Sequence, residues 1–146
     1  MMRNTLKTAA LAGLLVAGSA SAQLITIASV EGRWTSATPE QEGGTINGIG
    51  TNQITWGTGD QPSGYVFDGS APPPVSGINI GERFDLGIFT HNNFPITGTF
   101  LDTARLEVTA NLSINGTSRT AVSFFDFEHW ETPNNENPCA NGEPNN

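Results

Sequence analysis

Apolar and polar positions alternate most regularly between Ala104 and Ile114, where Leu106, Val108, Ala110, Leu112 and Ile114 are interleaved with Arg105, Glu107, Thr109, Asn111 and Ser113. A two-residue period puts the first set on one face of a strand and the second on the other, which predicts a half-buried strand with one wet face. Asn115-Gly116 follows, and this dipeptide accommodates the two positive φ angles of a type I′ turn. The chain therefore returns as a partner strand over Thr117 to Trp130, with Val122 and Phe124 on one face and Phe125 and Phe127 on the other. Apolar residues on both faces predict a central strand, covered on each side for part of its length.

Shorter apolar runs divide the rest of the chain. Leu24 to Val30 is rich in β-branched residues and predicts an opening strand ended by Glu31-Gly32, with Arg33-Trp34-Thr35 as an extension. Ser36 to Gly50 holds Pro39, Gly43-Gly44 and Asn47-Gly48, and reads as a surface loop. Gln53-Ile54-Thr55-Trp56 is a short strand stopped by Gly57, and Gly64-Tyr65-Val66-Phe67 is another, turned by Asp68-Gly69. The run from Ser70 to Gly77 is stiff, because each of its prolines fixes its own φ and keeps its predecessor out of the helical region. A crossing between two sheets suits it better than an interdomain linker, since neither flank is long enough for a core of its own. Arg83 to Thr90 alternates, with Phe84, Leu86 and Ile88 on one face, and leads into the polar loop His91-Asn92-Asn93. Residues 131–146 are dominated by Asn, Pro, Glu and Gly and predict a loop. The pattern as a whole is all-β, an antiparallel β-sandwich of jelly-roll-like kind that reads as incomplete at its C-terminal end.

Composition narrows the classes further. Residues 1–22 join Arg3 and Lys7 to an apolar stretch from Ala9 to Ala17 and the ending Ala20-Ser21-Ala22, the layout of a cleaved secretory signal. That leaves residues 23–146 as a single domain, and losing Arg3 and Lys7 takes the formal charge from −8 to −10. The remaining cations, Arg33, Arg83, Arg105 and Arg119, are scattered, so there is no electrostatic footprint for nucleic acid or an anionic membrane. No window after the signal approaches the roughly 18 apolar residues of a bilayer span. Secretion or display at the cell surface is the expected destination. Cys139 is the one cysteine, and an oxidising compartment pairs thiols. Because the ending Asn137-Pro138-Cys139 through Asn146 reads as mid-loop, the favoured partner is a cysteine beyond Asn146; an intermolecular bridge and a free thiol are the alternatives.

Candidate chemistry is sparse. His91 and His129 are the only histidines, and an acid–base or metal site would need both to converge with carboxylates; their spacing matches no zinc pattern. The preferred expectation is that His91 hydrogen-bonds within its own loop and His129 packs at a strand end. Asp126, Glu128, Glu131, Asn134, Asn135, Glu136 and Asn137 offer the oxygen ligands calcium accepts. A solvated acidic loop is preferred, with no cofactor, and calcium at Asp126, Glu128 and Glu131 is kept as the alternative. Asp126 and Glu128, two apart on a strand, share a face at roughly the spacing of a retaining glycosidase pair, a pattern that any exposed strand face in an acidic protein produces. Trp34, Trp56, Trp130 and Tyr65 are candidates for a sugar-stacking platform, although tryptophans on short strands more often belong to the core. Asn111-Leu112-Ser113 and Asn115-Gly116-Thr117 fit the glycosylation pattern, but the second has its own reason in the turn.

Several segments together resemble the choice-of-anchor K domain, a family of exported bacterial β-rich domains. They are Ile54-Thr55-Trp56-Gly57 with Ser63 to Phe67, then Leu86 to Ile96 and Glu131-Thr132-Pro133-Asn134-Asn135 before Cys139. The run Thr90-His91-Asn92-Asn93-Phe94-Pro95-Ile96 is the most specific of them. The resemblance implies a surface or extracellular domain without established catalytic residues, whose members differ in their C-terminal anchoring tails. The expectation is thus a non-catalytic secreted or surface domain, associated with cell-surface or extracellular polysaccharide; a carbohydrate-binding module or an enzyme using Asp126 and Glu128 is the alternative. In the Thr90 to Ile96 run, the Asn92 and Asn93 amides are expected to bond local backbone groups while Pro95 stiffens the exit.

Overall fold

The structure, a computed structural model, describes residues 24–132, 137–140 and 142. The signal at 1–22 and the 133–136 part of the acidic cluster lie outside the described residues. Seven strands follow one another: β1 (Ile25–Pro39), β2 (Gln53–Trp56), β3 (Ser63–Gly69), β4 (Val75–Ile78), β5 (Gly87–Asn92), β6 (Leu101–Ile114) and β7 (Thr117–Glu128). They form two antiparallel sheets, one ordered β4-β1-β6-β7 and the other β2-β3-β5. The fold is therefore all-β and sandwich-like. The proline-rich segment after Gly69 does carry the chain from the smaller sheet to β4 in the larger one.

The β6–β7 hairpin forms as its alternation dictates. Leu106, Val108 and Ala110 are buried, and Asn115 and Gly116 adopt φ of 50° and 81° at the turn. Inward side chains from both sheets then close the core, with Trp34, Ile54 and Leu101 wholly buried; burying a large apolar side chain contributes roughly 1.5–3 kcal/mol.

Three expectations need correction. β1 does not stop at Glu31-Gly32 but pairs with β6 through Glu31↔Thr109, Gly32↔Val108 and on to Pro39. Gly32 is present because the Phe67 ring of the other sheet lies against it: a Cβ there would sit 2.2 Å from Phe67 Cδ1. Register shifts between Ile27 and Ser29 and between Trp34 and Ser36 also break the two-residue period, so the strand's inward face is not a clean alternation. The second correction concerns β5, which begins at Gly87. Its register, Phe67↔Phe89 and Tyr65↔His91, turns the Phe89 and His91 rings toward the other sheet, where they stay partly exposed, and points Ile88 away from it. His91 and Asn92 are thus strand residues. Third, β7 is an edge strand: among the described residues it pairs only with β6, and Val122 and Phe124 are exposed.

Gly32→Ala is expected to lower stability by about 1–3 kcal/mol, because Phe67 would be pushed off the backbone of β1 inside a packed layer. Urea unfolding of the two proteins measures the difference.

Candidate functional site

β3 is the middle strand of the smaller sheet, and its inward positions are Ser63, Tyr65 and Phe67, all buried. The Tyr65 ring stacks on Trp34 from β1 at 5.5 Å and meets Trp56 of β2 edge-on at 5.0 Å. Pinned between those rings, it projects its hydroxyl toward the end of β7. There the hairpin pairing continues one residue further, since the His129 N–H donates to the Asp102 carbonyl at 2.8 Å. This fixes the imidazole opposite the phenol. Tyr65 Oη lies 2.6 Å from His129 Nδ1, and His129 Nε2 lies 3.2 Å from Glu131 Oε2.

The partners assign the tautomer. Burial, with the Glu131 charge second, pushes the Tyr65 phenol up to about 12, so it keeps its proton and donates to Nδ1. Nε2 then carries the imidazole proton and donates to the Glu131 carboxylate. The His129 side chain is only 7% exposed and that of Glu131 16%. A charge this enclosed is tolerated because it is hydrogen-bonded.

His91 stands beside this line. Its ring is 5.5 Å from His129 and nearly perpendicular to it, and it stacks on Trp56 at 6.2 Å. Burial, and after it the neighbouring His129 ring, hold the His91 imidazole below the ordinary histidine value, while Glu131 acts in the opposite sense. The two histidines and a carboxylate therefore converge, with His129 packed at the end of β7 against Trp56 and Tyr65. Among the described residues the His91 side chain has no hydrogen-bond partner, and the Asn92 and Asn93 amides have none either. What fixes the Thr90 to Ile96 run instead is Ser63, whose Oγ donates to the Phe94 carbonyl at 3.2 Å and accepts from the Phe94 N–H at 3.1 Å. Pro95 carries the chain to Ile96, which is buried against Gly57; that glycine has φ of +77° and no room for a Cβ. The Trp56-Gly57 pair and the Thr90 to Ile96 run thus meet in space.

A hydroxyl, an imidazole and a carboxylate in line is the order that activates hydroxyl nucleophiles. In this protein the hydroxyl is a buried phenol that retains its proton, and its oxygen points at His129 rather than at a cleft. The arrangement is suited to joining the two sheets through a polar contact.

The other candidates lie elsewhere. Asp126 faces Arg105 across the hairpin, with bonds of 2.6 and 3.0 Å on the exposed outer face, and the guanidinium holds this carboxyl below the usual range. Glu128 is on that same exposed face, opposite Thr103. Asp126, Glu128 and Glu131 consequently do not share one site, and no group of three His, Cys, Asp or Glu among the described residues is placed to hold a metal ion. Trp34, Trp56 and Tyr65 are buried and only Trp130 is exposed, so these four do not make a platform. Cys139 is a half-buried free thiol.

Sequence reasoning missed Tyr65 as a polar partner and Glu131 as the second partner of His129. The available signals were the inward parity of Ser63, Tyr65 and Phe67 and the His129-x-Glu131 spacing. Compared with known proteins, the chain matches no family model and no curated protein. No helix among the described residues is long and apolar enough to cross a membrane.

Tyr65 is the only tyrosine, so tyrosinate absorbance reports this group alone. The native protein is expected to titrate near 12, and the urea-unfolded chain near 10. Since the folded value is the higher one, Tyr65 contributes stability fully below pH 10 and loses it as pH rises toward about 12.

Proposed function

We propose that this chain is a non-catalytic domain exported by a bacterium and displayed at the cell surface or in the extracellular matrix, as its resemblance to choice-of-anchor K domains implies. One observation carries the proposal: both ring nitrogens of His129 are taken up by the Tyr65 hydroxyl and the Glu131 carboxylate in a largely enclosed position. An enzyme aims such groups at a space a substrate can enter. The exposed carboxylates add support, since Asp126 is held by Arg105 on an open strand face rather than poised across a cleft. Neither feature calls for a cofactor.

A second proposal, glycan binding, is favoured by a different part of the surface. Glu31, Arg33, Glu107 and Thr109 on the outer face of β1 and β6, with the loop Gly50-Thr51-Asn52, line a polar cleft of about 290 Å³. Arg33 donates to Glu107 at 3.1 Å, which leaves other guanidinium hydrogens free, and the Glu31 carboxylate has no bonded partner within the described residues. Adjacent donors and acceptors of this kind suit the vicinal hydroxyls of a neutral sugar.

Incubation with a panel of cell-surface and extracellular polysaccharides tests both proposals. No hydrolysis is expected; turnover lost in both Asp126→Asn and Glu128→Gln would replace the first with a glycosidase. Any glycan retained by the protein is expected to be released by Glu107→Ala and kept by Asp126→Asn.

A further inference from the structure

β7 is twelve residues long, pairs with β6 over its whole length without a register shift, and has no partner on its other side among the described residues. Natural sheets protect such an edge with proline, lysine, a bulge or a covering loop. Thr117 to Glu128 contains neither proline nor lysine and is unbulged, while Val122, Phe124 and Phe125 are 50%, 56% and 40% exposed.

The turn determines which backbone groups are free. In a hairpin closed by a two-residue type I′ turn, the closing pair exchanges both hydrogen bonds, and every second pair after it does the same. Here the closing pair is Ile114↔Thr117, so the odd residues of β7 bond to β6. The bond from His129 N–H to Asp102, at the far end, falls in the same phase. The N–H and C=O groups of Ser118, Thr120, Val122, Phe124, Asp126 and Glu128 therefore face outward.

We propose that this edge pairs antiparallel with β7 of a second copy of the chain, uniting two four-stranded sheets. Hydrogen-bonded pairing of even residues with even residues keeps the outer faces of both sheets on one side. Of such registers, the one centred on Ser123 uses all six outward residues. It sets Val122 opposite Phe124 of the second copy, Thr120 opposite Asp126, and Ser118 opposite Glu128, each pair occurring twice about the two-fold axis. Val122 and Phe124 then cover each other as a β-branched and an aromatic residue across strands. On the inner face Ala121 meets Phe125.

Charge favours the antiparallel direction. The strand carries its cation, Arg119, in its first half and both anions, Asp126 and Glu128, at its end. Antiparallel self-pairing brings each cationic end alongside an acidic end of the second copy, with Arg119 on the inner face and the carboxylates on the outer, whereas a parallel arrangement would put like on like. This association does not depend on whether the domain binds glycan or is catalytic.

Sedimentation equilibrium of the purified chain tests the proposal, and the expected species is a dimer. Val122→Lys, which places a charge at the centre of the edge without touching the core, is expected to give monomer with unchanged circular dichroism. Arg119→Glu should weaken the dimer by roughly three- to tenfold, from a reversed charge at each of the two joined strand ends, and the double variant Arg119→Glu/Glu128→Arg should recover most of the loss. A monomer at every concentration, or a dimer indifferent to both Val122→Lys and Arg119→Glu, would overturn the proposal.

Discussion

A phenol buried in the middle strand of a sheet must find a hydrogen-bond partner or cost roughly 1–3 kcal/mol. Tyr65 finds its partner not in its own sheet but in the other one, 2.6 Å away at His129. That contact sets the geometry around it. For the hydroxyl to arrive there, the ring must lie flat on Trp34 and edge-on to Trp56; for the imidazole to receive it, the hairpin must remain paired past Glu128. Glu131 completes the line by fixing the other ring nitrogen. The aromatic layer and the end of the long hairpin are thereby held in one register relative to each other, which non-directional apolar packing alone does not specify.

The layer is lopsided, and its open side explains the exposed aromatic residues. Phe89 on β5 stacks against Phe127 on β7 at 5.2 Å and nearly parallel, and both strands are sheet edges. Between them Phe67, Leu86 and Leu106 floor an apolar groove of about 380 Å³. The polar line closes one end of the sandwich while this flank remains open. Activity, if read from the chemistry of the interior, would be sought at His129; the surface directs attention to the cleft at Arg33 and Glu107 and to the β7 edge.

Local signals made the hairpin legible: a clean two-residue period from Ala104 to Ile114 and an Asn-Gly turn need no distant partner to be interpreted. β2 and the inter-sheet crossing were legible for the same reason. β1 was hidden by Gly32, whose role is contact with Phe67 some 35 residues later in the chain. β5 was misread because Phe84, Leu86 and Ile88 alternate convincingly, yet the pairing of Tyr65 with His91 decides which face turns inward. The convergence of His91, His129 and Glu131 follows from that register and from a contact spanning 64 residues, which no spacing rule encodes. Apolar residues on both faces of β7 signalled burial on two sides, but only pairing could reveal that the strand is an edge.

If Tyr65, His129 and Glu131 act as one unit, then Tyr65 and Glu131 must be energetically coupled although each is bonded to His129 and not to the other. A double-mutant cycle with Tyr65→Phe, Glu131→Gln and the combined variant, read by urea unfolding, measures this directly. The expected interaction energy is about 0.5–3 kcal/mol, the range for residues within one hydrogen-bond network. Strictly additive losses would contradict the account and reduce the line to two independent contacts.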